Sequence, residues 1–425
     1  MKEYKPRLID KVLEEYIPYA PVTLVEGAKD VGKTESCKRL SNSVFELDDL
    51  AQRSAVNANY GVVLQTSKPV LIDEWQFIKP LWNFLRRSVD NGLEQGSVIL
   101  TGSNPKFNND LHSGSGRIIR FKMRPFSIEE REMSKEYISL KKLFDKTSYK
   151  SLYIQTDLNI NDYLDEIYLS GFPGIRDKPK KIINRLLTEY SENIVTHEFE
   201  ENGIMIKKPA SLMAWLKSYA SVVATPAAYQ TILDISMNNN LETPNRVTAN
   251  FYKEALEMLN IVEEVPSWLA MGKITQNLSK TPKHFLVDPA LVVSLLNISK
   301  EDLLFVPISK QIGKYNKSLF GQVFESFIYQ SLRVYCDVNE FELSHLRSSD
   351  GKKEIDFIVQ NGRKLIAIEV KAKQDIDYND IKHLEWFEGE IGDEYQLTKV
   401  VIYTGNIAYI NEYNVFVIPA GLLGC

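Results

Sequence analysis

The strongest structural signal in this chain is the octapeptide Gly27-Ala28-Lys29-Asp30-Val31-Gly32-Lys33-Thr34, which reads G-x-x-x-x-G-K-[ST]. The apolar, β-branched run Val22-Thr23-Leu24-Val25 precedes it, and the helical run Glu35-Ser36-Cys37-Lys38-Arg39-Leu40 follows it. Glycines let the backbone wrap closely around phosphates, and a helix N-terminus adds a partial positive charge. The octapeptide therefore predicts a phosphate-binding loop, called the phosphate loop below, between the first strand and first helix of an α/β domain.

The motif also assigns roles to single side chains. Lys33 would reach the β- and γ-phosphates of a bound nucleotide, and Thr34 would ligate Mg²⁺. We expect ATP and Mg²⁺ as ligands. The predicted nucleotide-binding residues are Gly27, Asp30, Val31, Gly32, Lys33, Thr34, Glu35, Asp73 and Asn104.

Two later apolar runs end in polar residues, as parallel strands do when their carboxyl ends meet at a ligand site. In Val70-Leu71-Ile72-Asp73-Glu74, Asp73 would hold the Mg²⁺ and Glu74 would act in catalysis by polarising the attacking water. After Val98-Ile99-Leu100-Thr101-Gly102, Ser103 or Asn104 would touch the γ-phosphate or that water, unless they only cap a loop.

Composition limits the class of protein. The 425 residues carry a formal net charge of −5, with 44% hydrophobic and 25% charged residues, which is typical of a soluble chain with two or three domains. Such a chain is no polycation, so contact with nucleic acid needs local basic patches. Three widely spaced cysteines indicate neither a zinc site nor disulfides. The sequence shows no membrane-spanning run and no signal peptide, so we expect a cytoplasmic protein without membrane contact.

The chain divides into four predicted parts: an α/β ATPase core (1–130), a helical lid or linker (131–200), a winged-helix-like domain (201–310) and a C-terminal α/β domain (311–425). In the core, Arg117 is a candidate catalytic residue on the γ-phosphate, in its own chain or in a second copy within a homo-oligomer. Arg120 and Arg124 are further candidates, and a solvated arginine is the alternative.

The winged-helix prediction comes from three helical patterns, 211–223, 227–238 and 245–259, followed by two strand-like runs. The third helix would present Asn245, Arg246, Asn250, Tyr252 and Lys253 to a DNA groove. It also carries Glu254 and Glu257, which favours a domain that packs the two ends of the chain together.

A second constellation lies near the C-terminus. The strand patterns Glu354-Ile355-Asp356-Phe357-Ile358-Val359 and Leu365-Ile366-Ala367-Ile368-Glu369-Val370-Lys371 flank Asn361-Gly362, a strong hairpin signal. With that dipeptide as the turn, Asp356 faces Ala367 and is a diagonal neighbour of Glu369 on the face that also carries Lys371. Asp356 and Glu369 would share Mg²⁺ or Mn²⁺, and Glu325 of a preceding helix would point into the site. Lys371 would stabilise charge on a scissile phosphate or help position the water.

With these motifs the chain resembles the prokaryotic AAA-type (P-loop) ATPases that carry a C-terminal restriction-endonuclease-like, PD-(D/E)XK domain. The motifs in the family's order are Tyr4-Lys5-Pro6-Arg7, the phosphate loop, Ile72-Asp73-Glu74, Leu100-Thr101-Gly102-Ser103, Ser115-Gly116-Arg117, Met123-Arg124-Pro125, Ser170-Gly171-Phe172-Pro173, Asp288-Pro289, Glu325, Asp356 and Glu369-Val370-Lys371. The loop departs from the family's commoner Pro-Arg-Gln at Ala28-Lys29-Asp30. The resemblance implies ATP hydrolysis and a nuclease-like C-terminal fold.

Two functions follow as hypotheses. In the first, an ATPase cycle controls a metal-dependent, nuclease-like domain that acts on DNA. In the second, the chain is a nucleotide-switched regulatory or assembly protein whose C-terminal domain only binds DNA or a protein partner. The complete set of Glu325, Asp356, Glu369 and Lys371 favours the first, and the acidic charge balance favours the second. A small-molecule kinase would leave the C-terminal constellation unexplained.

Overall fold

The computed structural model describes residues 4–102, 116–149, 151–199, 204–238, 244–269, 279, 281–305 and 318–425. Ser103 and Asn104 lie outside these described residues. In the described part of the chain, no helix has the length and apolar character needed to cross a membrane.

The N-terminal part alternates strands and helices around one sheet. Its elements are α1 (Leu8–Tyr16), β1 (Val22–Glu26), α2 (Lys33–Arg39), β2 (Ser43–Glu46), α3 (Leu50–Ala58), β3 (Val70–Asp73), α4 (Lys79–Asp90), β4 (Val98–Gly102) and β5 (Ile118–Lys122). All five strands are parallel, in the order β2-β3-β4-β1-β5. The predicted parallel α/β sheet is confirmed. The carboxyl ends of β1, β3 and β4 share one edge, so the residues that follow them meet there.

A mixed segment and a mostly helical segment follow. Their elements are β6 (Ile138–Ser139), α5 (Leu140–Leu143), β7 (Tyr153–Gln155), α6 (Ile160–Leu169), α7 (Pro173–Arg176), α8 (Lys180–Asn193), α9 (Pro209–Ala220), α10 (Tyr229–Asn238), α11 (Arg246–Met258), β8 (Val262–Val265), β9 (Lys283–Leu286), α12 (Pro289–Leu295) and α13 (Lys300–Phe305). Strands β8 and β9 pair antiparallel. Three helices followed by a strand pair reproduce the predicted element order of residues 201–310.

The C-terminal part is built on a second, mixed sheet. Its elements are α14 (Leu319–Asn339), β10 (Glu342–Arg347), β11 (Glu354–Asn361), β12 (Lys364–Lys371), α15 (Tyr378–Ile391), β13 (Gln396–Tyr403), β14 (Ile407–Ile410), β15 (Val415–Pro419) and β16 (Leu423–Gly424). The strand order is β10-β11-β12-β13-β15-β14-β7. Helix α14 packs on one face, with Phe324 in the same buried cluster as Phe357 and Ile368, and α15 packs on the other, with Leu384 in the same buried cluster as Ile358.

The segment 131–200 is not wholly helical, contrary to the sequence prediction. Strand β7 pairs with β14 and completes the C-terminal sheet, while β6 pairs with β16. Strands of two and three residues are too short to show the alternation that marks a strand in sequence. Their partners lie more than 250 residues away, so no local pattern indicates the pairing.

The hairpin β11–β12 turns one residue later than the sequence pattern indicates. Asn361 pairs with Lys364 and Ile358 pairs with Ala367, so Gly362 and Arg363 form the two-residue turn. Gly362 has φ +59° at the first turn position, where glycine is favoured in a type II′ turn. Ala367 therefore faces Ile358 and not Asp356, and the paired residues end at Phe357–Ile368, next to Asp356 and Glu369.

Candidate functional site

The phosphate loop connects β1 to α2, and its two motif glycines are sterically required. A Cβ atom on Gly27 would lie 2.2 Å from the carbonyl oxygen of Met123, next to β5. Gly32 has φ +100° and is the N-cap of α2. Asp30 also has a left-handed backbone, with φ +64°. The backbone therefore wraps as the motif predicts, with the N-terminus of α2 closing the loop.

The lysine of the loop is folded back onto it. The Lys33 ammonium donates hydrogen bonds to the carbonyl oxygens of Gly27 at 3.0 Å and Ala28 at 2.9 Å. Burial lowers the pKa of Lys33, and the nearby carboxylates of Glu74 and Asp73 oppose that shift. The ammonium is thus held at the centre of the loop, where phosphate oxygens would replace the two carbonyls as its partners.

The two predicted Mg²⁺ ligands are in contact. The Thr34 hydroxyl donates to the Asp73 carboxylate, whose two oxygens each lie 3.0 Å away. Thr101, at the end of β4, also donates to Asp73. A hydroxyl and a carboxylate side by side are ligands that suit Mg²⁺, which is bound by few protein oxygens together with phosphates and water. These residues fit the predicted ion.

Glu74 leaves β3 with a left-handed backbone, φ +53°. Burial raises the pKa of its carboxyl group, while the positive charge of Lys33 opposes the shift. The side-chain amide of Gln76 donates to Glu74, a contact that the sequence did not indicate. Gly102 makes room for Gln76, because a Cβ atom there would lie 2.0 Å from the Gln76 Oε1. The predicted catalytic carboxylate therefore lies beside the loop and is held by its neighbour.

The arginines near β5 do not converge on this loop. Ile118 pairs with Val22 at the start of β1, so Arg117 lies at the opposite edge of the sheet from the phosphate loop, where it bonds to Asp90 at 2.5 Å. Five strand residues at about 3.3 Å each place it roughly 16 Å from that edge. This placement disfavours action on its own chain's nucleotide, and action on a neighbouring copy stays a prediction. Arg120 stacks over the Trp82 ring, 5.4 Å from the ring centroid.

A cavity of about 410 Å³ opens beside Gly32. Its lining comes from three separate parts of the chain: Tyr4, Lys5, Arg7, Gly32, Glu35, Ser36, Met123, Phe126, Pro173, Gly174 and Asp177. Arg7 fixes this wall, since it donates to the carbonyl oxygens of Val31 at 2.7 Å and Arg124 at 2.6 Å. Apart from Gly32 and Glu35 in the loop region, the motif does not indicate these residues.

The C-terminal site contains a residue that sequence reasoning missed. The ammonium of Lys283, in β9, lies 2.9 Å from Glu325 Oε1, 2.8 Å from Glu354 Oε1 and 3.1 Å from Asp356 Oδ1. We call Glu325, Glu354 and Asp356 the acid cluster. The Lys283 side chain is fully buried, and Glu325 and Asp356 are each 1% exposed. Lys283 is the first residue of the short strand Lys283-His284-Phe285-Leu286, and its sequence context gives no sign of this role.

The other predicted residues of this site lie alongside the acid cluster. The Lys371 ammonium lies 2.6 Å from Glu369 Oε2, and the Val370 amide donates to Asp356 at 2.8 Å. In the described ranges, no group of three or more His, Cys, Asp or Glu side chains is arranged to hold a metal ion. An ammonium lies against each predicted carboxylate, so this arrangement does not fit a divalent ion, and the second metal ion stays a prediction.

A buried ionic network joins the three parts of the chain. Glu263 of β8 accepts from Lys122 at 2.6 Å, from Tyr329 of α14 at 2.6 Å, and from Arg124. Arg124 also bonds to Asp337 of α14 at 2.7 Å. Burial alone would raise the pKa of Glu263, but Arg124 and Lys122 outweigh it and lower that pKa well below its ordinary range. Arg124 is therefore engaged in the interior and is not available to a γ-phosphate.

The candidate groove-reading helix α11 is also partly engaged in internal contacts. Tyr252 is buried, and the Lys253 ammonium lies 3.1 Å from Glu264. Beyond β8, Trp268 docks on the C-terminal sheet, with its indole N–H donating to Gln360 at 2.8 Å and its backbone N–H to His345 at 2.7 Å. These contacts favour the interpretation that this part of the chain packs the two ends together.

Three family models match separate stretches of the chain. Residues 19–132 match an AAA domain, residues 160–302 match a domain of unknown function, DUF8612, and residues 320–423 match another, DUF4143. None of the curated proteins matches this chain.

Several solved structures show remote similarity. A Walker-type ATPase of Pyrococcus abyssi is 14% identical with a TM-score of 0.39, over 67% of this chain and 94% of that one. The ORC1 protein of Aeropyrum pernix, in complex with DNA, is 13% identical with a TM-score of 0.24, over 70% and 93%. A STAND ATPase of Pyrococcus horikoshii is 14% identical with a TM-score of 0.21, over 80% and 50%. Similarities this remote add nothing to the assignment, which rests on the family model. The stretch that matches an AAA domain, residues 19–132, contains the phosphate loop, Asp73 and Glu74.

Proposed function

We propose that the chain hydrolyses ATP at the phosphate loop and that the nucleotide cycle controls a nuclease-like C-terminal domain that acts on DNA. The proposed ATP hydrolysis rests on one observation. Thr34 contacts Asp73 next to the phosphate loop, and the Lys33 ammonium lies at the centre of that loop. Each of these residues comes from a different motif position, and the AAA domain that matches residues 19–132 contains them all.

ATP binding follows from the geometry of the loop. Backbone N–H groups of the loop and the N-terminus of α2 face the phosphates, and Lys33 exchanges its two carbonyl partners for β- and γ-phosphate oxygens. The cavity beside Gly32 receives the base and ribose against the apolar side chains of Met123, Phe126 and Pro173. Arg7, which bridges the loop to β5's end, keeps that wall in place.

Hydrolysis requires an oriented water molecule and charge neutralisation. Thr34 and Asp73 would hold Mg²⁺, which when bound neutralises charge on the phosphate oxygens. Glu74 accepts a hydrogen bond from the attacking water and so orients it toward the γ-phosphate. Its raised pKa makes it a stronger base than an exposed glutamate. Gln76 holds Glu74 in the present structure and releases it when the water occupies its place.

The ionic network around Glu263 supplies a route from the nucleotide to the rest of the chain. Strand β5 pairs with β1, which leads into the phosphate loop, and Lys122 and Arg124 lie at its carboxyl end. A shift of β5 on nucleotide binding would move both cations, and with them Glu263 on β8 and Asp337 on α14. Packed interiors transmit such shifts because they do not deform continuously.

The nuclease-like proposal for the C-terminal domain rests on the resemblance and on the grouping of its carboxylates. Asp356 and Glu369 each follow directly after the last paired residues of one hairpin, Glu325 and Asp356 contact the same Lys283 ammonium, and Lys371 lies beside Glu369. Paired acids with a lysine suit cleavage of a phosphodiester, in which negative charge develops on the phosphate.

A specific observation favours a second candidate function. The Lys283 ammonium lies within the acid cluster and no divalent ion fits beside it. A chain with this arrangement would be a nucleotide-switched protein whose C-terminal domain binds DNA or a protein partner without cutting. The two candidates differ in whether the C-terminal domain cuts DNA.

Cleavage assays separate them. The wild-type chain is incubated with plasmid and with single-stranded DNA, with Mg²⁺ or Mn²⁺, in the presence and absence of ATP. The first candidate predicts nicking that Lys371→Ala removes, because that lysine acts on the developing charge. Retention of DNA without any nicking in every condition would refute the nuclease proposal and leave the binding module.

A further inference from the structure

Lys283 is a buried cation of the C-terminal site with several carboxylate partners. Its ammonium has three carboxylate oxygens within 3.1 Å, from Glu325, Glu354 and Asp356, and the Asp356 carbonyl oxygen at 3.4 Å. The side chain has no solvent exposure, and its ammonium lies 5.7 Å from the centre of the Phe357 ring. A lysine so buried is stable only where it is paired, and here it is paired several times over.

Three carboxylates converge on the Lys283 ammonium, and Arg347 lies 3.9 Å from the second oxygen of Glu354. Glu325 and Asp356 are each 1% exposed, whereas the Glu354 side chain is 21% exposed. Two of the three carboxylates around the ammonium are therefore shielded from water. A cage of carboxylate and carbonyl oxygens is also what a hard divalent ion prefers, at shorter distances and with twice the charge.

This cation comes from outside the C-terminal sheet. Lys283 begins β9, whose partner β8 carries Glu263. In the hairpin register Lys283 lies opposite Val265, two residues along β8 from Glu263. The same hairpin thus carries the lysine that fills the acid cluster and the glutamate that Arg124, next to the AAA domain's last strand, holds.

We propose that Lys283 is a displaceable internal cation that closes the acid cluster to divalent ions, and that withdrawal of β9 opens it. The inference rests on the proposed nuclease-like function, for which it supplies the regulation. In the present arrangement the lysine satisfies the carboxylates. If β9 moved away, the ammonium would leave the acid cluster, and Glu325, Glu354 and Asp356 would then be the residues that hold a divalent ion.

The test is calorimetric titration of the intact chain with Mn²⁺, without nucleotide or DNA. Wild type should show no stoichiometric binding at the acid cluster. Lys283→Met should bind one ion per chain at least tenfold more tightly, and adding Asp356→Asn to it should abolish the gain.

The chain offers a matched control. Lys399 is also a buried lysine of the C-terminal sheet, 2.5 Å from Glu385 and 2.6 Å from Glu388. Lys399→Met removes a comparable cation from two carboxylates away from the acid cluster. It should leave the Asp356-dependent binding at the wild-type level, which separates opening of this site from a general loss of a buried lysine.

Removal of Lys283 leaves three carboxylates together, so Lys283→Met could unfold without metal. The double variant Lys283→Met/Glu354→Gln keeps only two, Glu325 and Asp356, and should fold and bind the ion. Its Tm should rise with Mn²⁺. In Lys399→Met, Mn²⁺ should cause no change in Tm that depends on Asp356.

The outcomes separate this inference from the proposed function. If neither variant without Lys283 binds Mn²⁺ more tightly than wild type, or if wild type already binds it in a manner that Asp356→Asn abolishes, the inference is overturned. If the variants gain the ion and still cut no DNA, the inference stands and the nuclease proposal fails.

Discussion

Replacement of Arg124 by methionine should destabilise the chain and leave the ATP site chemically intact. The sequence suggested this arginine as a contact of the γ-phosphate, whereas its guanidinium joins Glu263 of β8 to Asp337 of α14. Methionine keeps most of the side-chain volume and removes only the charge and its hydrogen bonds. The variant therefore tests whether Arg124 acts through the interior or on the nucleotide.

The size of the loss in stability depends on the buried charge of Glu263, which remains when Arg124 is replaced. Breaking a buried ion pair by removing one partner costs about 3–5 kcal/mol, because the other charge remains buried. Glu263 is 7% exposed but keeps Lys122 at 2.6 Å, so we expect the lower end of that range, about 3 kcal/mol. With a urea m-value of about 3 kcal/mol per molar, the midpoint of unfolding should fall by about 1 M.

The assay is urea unfolding followed by fluorescence, with ATP binding measured in parallel on the folded variant. Arg185→Met is the control, because Arg185 forms an exposed pair with Glu189 at 2.7 Å that should not shift the midpoint. The double variant Arg124→Met/Glu263→Gln should recover part of the loss, since the buried glutamate no longer carries a charge. If Arg124→Met unfolded at the same urea concentration as wild type but lost ATP turnover, this reasoning would be refuted. Arg124 would then act on the γ-phosphate.

Three further predictions concern assembly, acid stability and the loop. If Arg117 acts on a neighbouring copy, mixing Arg117→Ala with Lys33→Ala subunits should restore part of the ATP turnover that each lacks alone; absence of rescue, with turnover per chain independent of concentration, would exclude that role. Burial alone would raise the pKa of Glu130, but Arg7 at 2.9 Å and backbone hydrogen bonds outweigh it and lower the pKa, so its stabilisation is present above pH of about 4.3 and is lost as pH falls through the lowered value. Glu130→Gln should therefore have a lower Tm than wild type at pH 7. Its Tm should fall less than that of wild type between pH 5 and pH 3, and an equal fall in both proteins would contradict this prediction. Gly27→Ala should weaken ATP binding at least tenfold because its Cβ meets a backbone carbonyl at 2.2 Å, and wild-type affinity would show that the loop can shift.

The site at the phosphate loop could be predicted from local sequence patterns. The spacing of the motif, the apolar strand before it and the acids after β3 placed Lys33, Thr34 and Asp73 together, because parallel strands bring their carboxyl ends to one edge. The α/β class and the order of elements in residues 201–310 were likewise readable, since each depends on periodicity within a short window. Asn104 lies outside the described residues, so its predicted role is untested.

Contacts between distant parts of the chain were not readable. Lys283 reaches carboxylates 42 and more residues away, and nothing in a four-residue strand distinguishes a buried ion-pair lysine from an exposed one. Arg124 looked like a nucleotide contact because it follows β5, yet its partners lie in two other parts of the chain. The hairpin register was wrong by one turn position because both Asn-Gly and Gly-Arg make acceptable two-residue turns.

The phosphate-loop assignment is tested most directly by measuring ATP binding and phosphate release side by side in three proteins. Wild type should bind a fluorescent ATP analogue and release phosphate only with Mg²⁺. Lys33→Ala should lose tight binding, because it removes the cation placed for the β- and γ-phosphates. Glu74→Gln should bind as wild type does and release phosphate about a hundredfold more slowly, because the water is no longer oriented. Normal phosphate release by either variant would contradict the account.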